Sequence, residues 1–69
     1  MIYKNLEKAL NEKGLNVLQL SYLARIHSPD LYNALDGKKP FYPGWKKRVS
    51  EALEIPEAEL FKTERDKNV

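Results

Sequence analysis

Leu15-Asn16-Val17-Leu18-Gln19-Leu20-Ser21-Tyr22-Leu23-Ala24-Arg25-Ile26-His27-Ser28-Pro29-Asp30-Leu31-Tyr32-Asn33-Ala34-Leu35-Asp36-Gly37 carries more structural information than any other part of this chain. Asn16 is a good N-cap, because its side-chain oxygen can accept from a first-turn amide, so a short helix from Val17 to about Ala24 is predicted. Arg25-Ile26-His27 has room only for a turn. Pro29 suits the first turn of a next helix, where its missing N–H costs nothing, with His27 or Ser28 as the cap. That helix, Ser28 to Asp36, turns Leu31, Ala34 and Leu35 inward and stops at Gly37. Leu20 and Ala24 then face Leu31 and Ala34. Ser21 is small enough to let the two helices approach, and Ile26 plugs the turn between them.

Outward from this pair the pattern stays helical, and no run alternates with the period of a strand. Tyr3, Leu6, Ala9 and Leu10 share one face of a first helix, predicted from Ile2 to Lys13 and ended by Gly14. Pro43 opens a fourth helix in which Trp45, Val49, Ala52 and Leu53 align. Pro56 opens a short fifth, with Ala58, Leu60 and Phe61 available to close a core. Between them, Lys38 to Tyr42 is a loop, in which Phe41 and Tyr42 are expected to pack over the end of the third helix. The expected fold is all-α, a bundle of about five short helices over residues 1–62, with a polar tail at 63–69.

Composition narrows the function. Sixty-nine residues make one small domain. With no cysteine and a single histidine, the chain has no disulfide or thiolate metal site, and a cofactor or metal centre is not expected. Glu51, Glu54, Glu57 and Glu59 read as a solvated acidic rim. No apolar leader or membrane span is visible, so the expected location is cytoplasmic, with no membrane partner. The net charge is only +2, but residues 1–50 carry nine Lys/Arg against four Asp/Glu, and residues 51–69 three against six. Lys38, Lys39, Lys46, Lys47 and Arg48 form a one-signed block suited to phosphates.

The quoted stretch resembles the Cro and phage-repressor (XRE-like) helix-turn-helix family, whose usual run is Gly-Leu-Thr-Gln-x-Glu-Leu-Ala-x-x-Ala-Gly-Ile-Ser-x-x-x-Ile-Ser-x-x-Glu-x-Gly-Lys. Downstream, Val49-Ser50-Glu51-Ala52-Leu53-Glu54-Ile55-Pro56-Glu57-Ala58-Glu59-Leu60-Phe61 is similar to the family ending Ile-Ala-x-Ala-Leu-x-Val-x-x-x-x-Leu-Phe. The resemblance runs from Leu6 to Phe61 and implies a lambda-repressor-like domain whose third helix enters the DNA major groove. It places His27, Ser28, Pro29, Tyr32 and Asn33 at base edges. Asn33 has the best chemistry there, since one amide can bond adenine N6 and N7 together. Asn16, Lys38, Lys39, Lys46, Lys47 and Arg48 are the expected phosphate contacts. Three departures stand out. Val17 replaces a phosphate-binding Gln. Arg25 replaces the turn Gly, so residue 25 either takes a left-handed conformation or the turn differs. Asp30 and Asp36 leave the third helix without a base of its own.

The expected function is a sequence-specific, DNA-binding transcriptional regulator, not an enzyme, acting on double-stranded DNA as a homodimer over a palindromic site. The alternative is a protein-interaction module on the same fold, an antirepressor or regulatory partner with weak or no DNA binding. Val17, Asp30 and Asp36 motivate it, together with Val17, Leu18, Tyr22 and Leu23, which make helix two apolar beyond the stripe its core needs. Ile55, Leu60 and Phe61 in the C-terminal helices are the competing contact surface.

Overall fold

Gly14 stops the first helix as its left-handed potential predicts, and the rest of the chain follows the same logic of caps and turns. A computed structural model describes residues 1–62; the tail at 63–69 lies outside the described residues. Five helices follow in order: α1 (Lys4–Lys13), α2 (Val17–Ala24), α3 (Ser28–Leu35), α4 (Pro43–Leu53) and α5 (Glu57–Leu60). No strand occurs among the described residues. The radius of gyration, 11.2 Å, is close to the value of about 11 Å expected for a folded chain of this length.

The first helix begins two residues later than the pattern suggested. The Ile2 amide donates instead to the Leu35 carbonyl at 2.9 Å, which keeps the first residues extended across the end of α3. The N-cap of α2 is as predicted and is doubled. Asn16 Oδ1 accepts from the Gln19 amide and Gln19 Oε1 accepts from the Asn16 amide, each at 2.8 Å. His27 holds the N-cap position of α3 but makes no capping bond with its side chain.

α2 packs against both α3 and α4, and α5 against α1 and α4. Every helix contributes to one core: Leu6, Ala9 and Leu10; Leu20 and Ala24; Leu31, Ala34 and Leu35; Val49 and Leu53; and Leu60, with Ile26 and Phe41 from the connections. Ser21 is buried at the α2 crossing, and its hydroxyl donates back to the Leu18 carbonyl at 2.6 Å. One expectation needs correction. Ala58 is exposed, because a helix of only four residues turns one side, that of Leu60, inward. Phe41, from the loop after α3, is buried in the same core as Leu35. It lies among Tyr3, Trp45 and Phe61, with ring centroids 5.5, 6.3 and 4.7 Å away, while Ile2 takes the place beside Gly37.

Candidate nucleic-acid interface

The turn between α2 and α3 sets the direction of α3, and its geometry follows from one residue. Arg25 takes the left-handed conformation at φ 58°, ψ 45°. This lets the Ile26 amide reach back to the Ser21 carbonyl at 3.0 Å and drops the Ile26 side chain into the core. Of the two options open at residue 25, the chain takes the strained one.

With about 100° of rotation per residue, burial of Leu31, Ala34 and Leu35 turns Pro29, Tyr32, Asn33 and Asp36 to the opposite side of α3. Tyr32 is 48% exposed, and Asn33 is half-buried beside it. Ser28 and Asp30 lie at the edges of this face, and the His27 side chain is well exposed just before it. The expected base-contacting residues thus share one side of one helix and its leading end. The face offers hydroxyl, amide and phenol groups suited to hydrogen bonding, with Asp36 as its acid.

Asp30, the other acid of α3, is matched within the fold. Lys39 Nζ lies 2.7 Å from Asp30 Oδ1, and His27 Nδ1 lies 3.9 Å from Oδ2. The hydrogen bond from Lys39, helped by the nearby charges of Lys39 and His27, lowers the Asp30 pKa against a smaller opposing effect of desolvation. The same hydrogen bond raises the Lys39 pKa. Phe41, buried two residues on, anchors the loop that carries Lys39.

The basic block, uninterrupted by any acid in sequence, is divided in space. Lys46 and Arg48 are two residues apart on α4 and so project about 160° apart around its axis. Lys46 Nζ sits 5.5 Å from the centre of the Phe61 ring, on the α5 side. Arg48 reaches the other way, and its Nη1 donates to the Arg25 carbonyl at 3.0 Å. Lys38 and Lys47 are exposed and make no ion pair among the described residues. Asn16 is exposed at the start of α2, its oxygen already held by the capping box.

Gln19, Asp30 and Arg48 have structural partners that the sequence reading did not assign. The Asn-x-x-Gln spacing of the capping box was available as a signal. The Arg25 carbonyl that Arg48 meets and the Lys39 that Asp30 meets come from other segments, and nothing local announces them. Leu60 is fully buried and Ile55 and Phe61 pack against the core, whereas Leu18, Tyr22 and Leu23 on α2 stay 42%, 73% and 55% exposed.

Among the described residues no group of three or more His, Cys, Asp or Glu side chains is placed to hold a metal ion, and no helix is long and apolar enough to cross a membrane. The class these features define is a small all-helical bundle built around a helix–turn–helix pair with a polar outer face on its second member. No protein-family model, curated protein or solved structure matches the chain.

Proposed function

We propose that this chain is a sequence-specific DNA-binding transcriptional regulator of the Cro/phage-repressor type. It places α3 in the major groove, works in the cytoplasm and binds a palindromic site as a dimer. The observation that carries this reading is the outer face of α3, where Pro29, Tyr32 and Asn33 stand opposite a fully buried side. Pairing of Asp30 with Lys39 supports it further, because the acid that would repel DNA is matched within the protein. Lys38 and Lys47, exposed and without an ion pair among the described residues, supply sequence-independent affinity in this reading. No catalytic step belongs to this reading.

Selection on random duplex DNA, read at two salt concentrations, tests the proposal. A recovered half-site, affinity falling steeply with salt and a preferred half-site spacing are the expected results. Asn33→Ala should then weaken binding to the selected site by roughly 1–3 kcal/mol and relax one base position. Absence of any preference among duplexes at low salt would sink the proposal. One observation favours a second reading, a protein-interaction module: α2 carries no charged residue, and its outer side leaves Leu18, Tyr22 and Leu23 exposed. Stable association with a repressor, together with no DNA binding at low salt, would select it.

A further inference from the structure

Arg48 is held by the backbone of the turn that precedes α3. Its position on α4 is firmly set, because the next residue, Val49, is completely buried. The carbonyl that accepts from its Nη1 at 3.0 Å belongs to Arg25, one of two non-glycine residues with positive φ among the described residues. The Arg25 and Ile26 amides are occupied by the Tyr22 and Ser21 carbonyls, which close the end of α2. The bond from Arg48 therefore adds a constraint from outside the pair, between α4 and the most strained point of the turn. It also brings a positive charge to the C-terminal, negative end of the α2 dipole. The constrained carbonyl lies only three residues before Ser28, where α3 begins.

We propose that Arg48 is a positioning residue: it locks the α2–α3 turn and so sets the direction of the leading end of α3, with His27, Ser28 and Pro29. Of the five N–H donors of the guanidinium, one is engaged on this carbonyl, and in this proposal the effect of Arg48 on DNA runs through α3. The effect on base discrimination rests on the DNA-binding reading above. The lock itself does not.

The experiment compares Arg48→Ala, Lys47→Ala and the double variant Arg25→Gly/Arg48→Ala. Amide hydrogen exchange is followed by NMR, and binding is measured to the duplex selected with the unaltered protein. Arg48→Ala is expected to speed exchange of the Ile26 amide by about tenfold or more, leaving Leu10 unchanged, since a charge-assisted bond has been removed from that turn. Lys47→Ala should leave Ile26 alone and lower the salt dependence of binding by about one unit of slope. Arg48→Ala should lose preference for the selected duplex with its salt slope unchanged. The double variant should regain that preference, because glycine adopts the left-handed turn without strain and cannot replace a missing phosphate contact.

Equal Ile26 exchange in Arg48→Ala and Lys47→Ala overturns the proposal. So does a salt slope lowered by Arg48→Ala with no rescue in the double variant. If Arg48→Ala fails to fold, Arg48→Met, which keeps the apolar stem and removes the donors, takes its place, and Ile26 exchange no faster than in Lys47→Ala overturns the lock. If the unaltered protein prefers no duplex, the DNA reading falls and Ile26 exchange alone decides the lock.

Discussion

Arg25 and Glu54 occupy left-handed positions, both at φ 58°, that Gly14 and Gly37 occupy elsewhere in the chain. A side chain there costs roughly 1–2 kcal/mol of strain, while glycine costs about 0.5–1 kcal/mol of extra chain entropy. Arg25→Gly is therefore expected to stabilise the DNA-free protein by up to about 1 kcal/mol. Gly14→Ala should destabilise it by about 1 kcal/mol, because its φ of 67° is strained for alanine although an added Cβ meets no neighbour. Urea denaturation of the two variants checks both signs. Asp30 and Lys39 make a second residue-scale case. Folding lowers the Asp30 pKa, so its contribution is present above the ordinary carboxylate range and is lost as pH falls through the lowered value. Folding raises the Lys39 pKa, so that contribution is present below the ordinary lysine range and is lost as pH climbs through the raised value. The difference in melting temperature between the unaltered protein and Asp30→Asn should stay level around neutrality and close below about pH 4. The glycine stops were legible because glycine alone reaches φ > 0 without strain. At residue 25 the resemblance narrowed the conformation to two options, and an arginine does not by itself choose the left-handed one.

Helix endings repeat one device. At the ends of α1, α2, α3 and α4 an amide returns to a carbonyl five residues earlier: Leu15 to Leu10, Ile26 to Ser21, Lys38 to Asn33 and Ile55 to Ser50. Leu15, Ile26 and Ile55 then pack on the core just past the stop, so each ending also redirects the chain. The Ser50 hydroxyl, donating to the Ile55 carbonyl at 2.6 Å, tightens the last of them. Crossing of α2 with its neighbours depends on a small residue at position 21. Ser21→Leu should cost about 1–3 kcal/mol or more by overpacking, whereas Ser21→Ala should cost less than about 1 kcal/mol. Thermal unfolding of the pair tests whether size or the hydroxyl matters. Helix existence, order and the inward faces of α1 to α4 were readable from periodicity, caps and prolines. The start of α1 was misplaced because the Ile2 amide bonds Leu35, a partner brought near only by folding.

At the scale of the whole molecule, a chain this small has roughly 3–10 kcal/mol of stability to lose. Leu60, 1% exposed on the four-residue α5, should cost about 2–5 kcal/mol when changed to Ala. That is a large share of the total, and circular dichroism at physiological temperature should show partial or complete unfolding. Burial of Leu60 also leaves the outer side of α2 as the prominent exposed apolar helical surface among the described residues. By itself the sequence determined the helices, their order, the turn after Ala24 and the core-facing side chains of the four longer helices. These follow from local rules of capping, glycine conformation and 3.6-residue periodicity. Only the tertiary structure decided where the charges act: Lys39 on Asp30, Lys46 over Phe61 and Arg48 on the Arg25 carbonyl. Charges adjacent in sequence diverge around a helix, and their partners come from segments that meet only when the core closes.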